Sequence, residues 1–273
     1  MNSYVSLGTL KAELGKTGTA DDAVLLRLLN RASREIDVLG EWPHFYPETA
    51  TRLFCGHGRD RVDVGALISA TTVKVDLDRD GTFETTLTVT TDYILGPTNE
   101  EAGRPRYTFI RLNPLSTVLT QFPMWEDSIQ VVGVFGFSNE TDPSGTLGAA
   151  ITDVAATSIT MTAGHGLTGG ETIIIGTERL YVSAVATNTL TVVRGVNGTT
   201  AATALNNAAV RVQRYHDNVE AACVLRAADN YRGTQSGYGR VSESEFGGYQ
   251  SNSSYAQFRG LVRDVARRPI GAY

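Results

Sequence analysis

The sequence is short of most features that would announce a chemistry. It holds two cysteines in 273 residues, Cys55 and Cys223. That is too few for a disulfide framework or a four-thiolate zinc site, so both are expected as buried thiols in a reducing compartment. Proline is scarce, at 8 residues. No run approaches the roughly 18 apolar residues that cross a bilayer. Met1-Asn2-Ser3-Tyr4 has neither the basic nor the apolar region of a secretory signal. Basic charge is not in excess: 24 Lys and Arg face 29 Asp and Glu, for a net charge of −5. That balance argues against wrapping DNA or coating an anionic membrane, but it permits a surface past which DNA travels. With 41% hydrophobic and 19% charged residues, the chain is too apolar and too weakly charged for a disordered protein.

Catalytic motifs are missing as well. There is no Gly-x-Ser-x-Gly elbow, Walker loop, dinucleotide fingerprint or His-Glu-x-x-His. None of His44, His57, His165 and His216 pairs with a cysteine at zinc-ligand spacing, and Cys55-Gly56-His57 is too close to be half of such a site. No catalytic residue and no cofactor is expected, and the chain is not expected to be an enzyme.

What is present favours strands and turns: 28 glycines and 33 threonines. Charge divides the chain into three blocks. Residues 1–143 carry 13 basic and 20 acidic side chains (net −7), 144–213 carry 3 of each, and 214–273 carry 8 and 6 (net +2). The first block opens with Leu7, Leu10, Ala12 and Leu14, a short helix stopped by Gly15. Leu25, Leu28, Leu29, Ala32, Ile36 and Leu39 then recur at helical spacing over 21–39, with Thr19 as N-cap and Gly40 as the stop. Beyond Pro47 the period becomes alternating, and strands are expected through Phe135. The second block holds five short runs: 158–162, 172–175, 179–183, 189–193 and 209–212. They predict a small β-sandwich or barrel. In the third block Ala221, Val224, Leu225, Ala228 and Tyr231 mark a helix over 216–231. A Gly/Ser-rich loop follows, then a last helix on Phe258, Leu261, Val262 and Val265 that ends before Pro269.

The expected fold is therefore α+β: a helical frame from the N-terminal and C-terminal helices, a β-rich middle, and an inserted β-sandwich or barrel module. The organisation read from the blocks is 1–143 as N-terminal helix and β-rich core, 144–213 as inserted module, and 214–273 as C-terminal helices with loop and arm.

One run invites a metal. Asp76, Asp78 and Asp80 alternate before Gly81, with Glu84 three residues on, like the first half of a calcium loop. The twelfth position of such a loop is Leu87, which cannot ligate. The preferred reading is the polar tip of a hairpin, with Gly81 supplying a positive φ. Near the C-terminus, Arg263, Arg267 and Arg268 form a small basic end beside Tyr238, Tyr249 and Tyr273. These six are candidate contacts to a neighbouring copy or partner.

The frame carries a resemblance. Tyr4-Val5-Ser6-Leu7 leading to Gly15, then Asp21-Asp22 and Ala32-Ser33-Arg34-Glu35-Ile36-Asp37, then Phe45-Tyr46-Pro47 with Thr51-Arg52, resembles head-to-tail adaptor (connector, head-completion) proteins of tailed bacteriophages. The segment Val75 to Phe83 with Asp92-Tyr93 and Pro97 is similar to the β portion of longer members, and the closing helices with a Gly/Ser-rich loop are similar too. The resemblance spans 1–138 and 214–273. It implies a structural virion protein of the neck, assembled in the host cytoplasm. A ring of about twelve copies would sit beneath the portal, receive a tail or stopper protein, and let double-stranded DNA pass without sequence-specific binding. It implies no membrane and no reaction. A second class stays open from the residues alone: a soluble carbohydrate- or protein-binding β module with helical ends.

Overall fold

The computed structural model describes residues 2–40, 44–99, 106–235 and 253–266. The chain is α+β, with four helices and two six-stranded antiparallel sheets among the described residues. It divides into two compact units: residues 1–43 with 140–273, and residues 44–139. This cuts the chain elsewhere than the charge blocks do. The 143/144 boundary falls inside a strand, and the low-charge β module belongs to the same compact unit as the helices.

The first unit begins with α1 (Leu7–Leu14). Ser6 caps it by accepting from the Thr9 amide (3.1 Å), and Gly15 closes it at φ 62°, a left-handed turn that glycine adopts without Cβ strain. In α2 (Asp22–Leu39) the residues Leu25, Leu28, Leu29, Ala32 and Ile36 are buried, as their spacing predicts. Its ends differ from expectation. Asp21, not Thr19, is the cap residue, and Gly40 is extended at φ −71° rather than left-handed.

The C-terminal helices are α3 (Asp217–Gln235) and α4 (Ser253–Ala266). α3 packs against α1, α2 and α4. Its buried face is Val219, Ala222, Cys223, Ala227, Ala228 and Tyr231, while Ala221 is exposed. The observed face is rotated from the predicted stripe because α3 has helices on several sides, where small residues permit close approach. On α4, Phe258, Val262 and Val265 are buried as expected.

The chain ends are tied across long separations. Ser33 Oγ meets Cys223 Sγ (3.4 Å) over 190 positions, Arg226 pairs with Glu35, and Tyr231 Oη donates to Asp21 (2.8 Å). Burial pushes the Cys223 thiol up to about 12. In a thiol-labelling time course at pH 8 we expect Cys55, which is partly exposed, to react first and Cys223 only on unfolding. Equal rates would contradict this packing.

Asp21 supplies an acid-sensitive clamp. The hydrogen bond from Tyr231, then that from Lys16 (3.3 Å), hold its carboxyl below the ordinary 3.8. A depressed carboxyl stabilises the fold above its unfolded value, and that contribution is lost as pH falls through the folded value. Asp21→Asn should flatten the acid limb of stability below about pH 4, read as the urea midpoint against pH. An unchanged limb would remove the clamp from this account.

The same unit carries strands β7 (Thr141–Thr146), β8 (Ser158–Thr160), β9 (Thr172–Ile175), β10 (Glu178–Ala186), β11 (Thr189–Val193) and β12 (Ala209–Gln213). All five predicted runs are strands. They order as β7-β12-β9-β10-β11-β8. The two outer strands then meet: Leu147 bridges Met161, Gly148 N donates to Thr160 O (2.8 Å) and Thr162 N to Thr146 O (3.0 Å). These bonds close the sheet into a barrel. Alternating residues, among them Leu147, Ile159, Met161, Ile173, Leu180, Val182, Leu190 and Val210, form its core.

The N-terminal segment fastens barrel to helices. Leu7 N donates to Gly169 O (2.8 Å), and Asn2 Oδ1 accepts from Thr172 Oγ1 (2.7 Å) and Asn197 Nδ2 (3.0 Å). A Cβ on Gly8 would lie 2.8 Å from Thr168 Cγ2, so only glycine allows this approach without a shift.

The second unit is built on β1 (Glu48–Phe54), β2 (Arg61–Val75), β3 (Thr85–Leu87), β4 (Tyr93–Gly96), β5 (Tyr107–Leu112) and β6 (Ile129–Phe135), ordered β1-β6-β2-β5-β4 with β3 also on β2. The long β2 pairs β5 through its first half, then β6 and β3 through its second. Its register shifts between Asp63 and Leu67, where Gly65 sits at φ 74° and bends the strand. Val62, Leu67, Val73, Ile110, Phe122, Ile129 and Phe135 lie within its core.

Candidate functional site

The β2–β3 connection is the acidic run, and its local chemistry explains its shape. Asp76 is 96% buried, its exposure being 4%. Its Oδ1 accepts from the amides of Asp78 (3.2 Å) and Arg79 (2.7 Å), and its Oδ2 from that of Gly81 (3.0 Å). Arg79 and Gly81 take the positive φ values, 67° and 83°, that turn the chain round the carboxylate. Asp80 Oδ1 accepts from Thr82 N (2.7 Å), and Glu84 Oε1 from Leu77 N (2.9 Å). Burial pushes the Asp76 carboxyl up, but the amides of Gly81, Arg79, Asp78 and Asp80 outweigh it and hold the group below the usual carboxylate range.

The folding of this tip brings four carboxylates together. One oxygen from each of Asp76, Asp78, Asp80 and Glu84 lies within 4.8 Å of the others. Hard oxygen donors in this number suit a divalent cation such as calcium. Asp76 also staples the turn through the amides it accepts. Among the described residues this is the one group of three or more His, Cys, Asp or Glu close enough to share an ion. Three of the four histidines are occupied locally: His44 by Tyr46 O and Glu48, His165 by Thr187 O and the Leu167 amide, and His216 by the Asn218 amide.

A different surface lies on the helical unit. α2, α3 and α4 frame an open groove of 520 Å³. Val38, Leu39, Tyr255 and Phe258 give it apolar walls, and Val38 is 84% exposed. Arg31, Arg34 and Arg226 line it against a single carboxylate, Glu35. Glu35 binds both Arg31 (3.0 Å) and Arg226, and the Arg226 guanidinium lies 5.3 Å from the Tyr255 ring.

Of the six C-terminal candidates, Arg263 is an exposed residue of α4 and does not line the groove. Tyr238, Tyr249, Arg267, Arg268 and Tyr273 lie outside the described residues. Sequence reading missed the groove. Its one legible signal is Val38, an apolar residue set off the stripe of its own helix.

Comparison with protein-family models, curated proteins and solved structures finds no match to this chain. No helix among the described residues is long and apolar enough to cross a membrane.

Proposed function

We propose that the chain is a structural subunit of the neck of a tailed-phage virion. Copies form a ring between portal and tail that passes double-stranded DNA and completes the head for tail attachment. The observation that carries this reading is the packing of chain ends. Helices α1 and α2 near the start and α3 and α4 near the end form one bundle, tied by Ser33–Cys223, Glu35–Arg226 and Asp21–Tyr231, with β structure strung between them. That is the arrangement the adaptor resemblance implies. The net −5 charge supports passage of DNA over tight retention of phosphate. Mass spectrometry of purified particles of the encoding phage tests the reading. The chain should be present at a fixed ratio to the portal protein. Its absence from particles would refute the proposal.

The convergence of four carboxylates favours a second reading, a calcium-dependent binding module. The first reading expects Asp78→Asn with Asp80→Asn to leave folding and ring formation unchanged, in calcium or in chelator. A calcium-induced rise in melting temperature that vanishes in this double variant, with loss of carbohydrate or protein binding, would move the choice to the second.

A further inference from the structure

The two units expose surfaces of complementary character. The helical groove offers apolar walls and three guanidiniums: Glu35 meets Arg31 and Arg226, Asp37 meets Arg34 and Asp229 meets Arg226, and Arg31 and Arg34 are the two more open to solvent. Its volume falls in the range of pockets that hold about a drug-sized group, so it would take a protruding tip rather than a flat face. The other unit carries an exposed loop with side chains of the matching kind. In the loop between β5 and β6, Met124 is 78% exposed, and Glu126 and Asp127 follow it, both exposed. Leu115, on the same loop, is 87% exposed.

We propose that the groove receives the Met124–Asp127 segment of a second copy of this chain, an inference that rests on the ring reading and gives it a contact. Methionine is unbranched and polarizable, and it fills irregular apolar grooves. Two carboxylates beside it meet the arginine rim, where Arg31, with 60% of its side chain exposed, is open to a partner. Giver and receiver are different surfaces. The contact is therefore head-to-tail, and it repeats from copy to copy until the rotation closes a ring.

Disulfide trapping tests this. Full-length Val38→Cys and Met124→Cys variants, each with Cys55→Ser, are mixed and gently oxidised, while Cys223 stays buried. A dimer of one chain of each kind is expected in the mixture alone. Adding Glu126→Lys and Asp127→Lys to the second variant should cut its yield about tenfold. Adding Arg31→Glu to the first should restore part of it. No mixed dimer, or one indifferent to charge reversal, would overturn the proposal. So would an internal disulfide without multimers in a chain carrying both cysteines. Rings seen by microscopy without the mixed dimer would sink this contact and leave the ring. A mixed dimer from a chain that is missing from virions would sink the neck reading and leave the contact.

Discussion

Replacing Glu178 by alanine is expected to destabilise the helical and barrel unit by about 3–5 kcal/mol, the cost of stranding a buried charge. Glu178 and Arg194 are almost fully enclosed, with 2% and 7% of their side chains exposed. The pair is bidentate, with Nε to Oε1 and Nη2 to Oε2 both at 2.7 Å. Each partner also holds backbone. Glu178 accepts from the amides of Gly195 and Ala202, both at 3.0 Å, and Arg194 donates to the carbonyls of Ala156 (3.1 Å) and Ala202 (2.6 Å). The pair thus anchors the loop after β11 onto the barrel. Swapping both residues for apolar ones should recover little, because those amides and carbonyls would stay unpaired. Urea unfolding of Glu178→Ala, Arg194→Met and the double variant checks this. Wild-type stability in the double variant would show that the loop is held by something else.

Phe135→Ala should cost about 3–5 kcal/mol through the cavity it leaves in the other unit. Phe135 is fully buried at the end of β6, opposite Glu48 of β1 and Leu67 of β2. The Arg52 guanidinium lies 4.3 Å from its ring and Phe54 6.3 Å from it. Hydrogen exchange separates this effect from the first. Amides of β1, β2 and β6 should lose protection in Phe135→Ala while those of the barrel keep it, and Glu178→Ala should show the reverse. The same amides deprotected in both variants would contradict two units with separate cores.

Local signals were legible in the sequence. α2 follows from its leucine spacing, and the five barrel strands from short Thr- and Ile-rich runs between turn residues. Long-range facts were not. Closure of the barrel depends on Leu147 meeting Met161, and neither residue marks its partner. The cap of α2 moved from Thr19 to Asp21, whose carboxylate is held by Tyr231, 210 positions away. Of the candidate site residues, Asp76, Asp78, Asp80 and Glu84 were found because a hairpin tip is local. The groove was hidden because three helices distant in sequence build it. The Glu178–Arg194 pair left a trace that pattern reading passed over: in a block with 3 acidic and 3 basic residues, each charge needs a reason to be there.

Electron microscopy of the full-length chain mixed with the portal protein of its own genome bears most directly on the proposed neck role. The account predicts an annulus of about twelve copies seated on one end of the portal, with an open centre. A chain that stays monomeric and never co-sediments with the portal would contradict it.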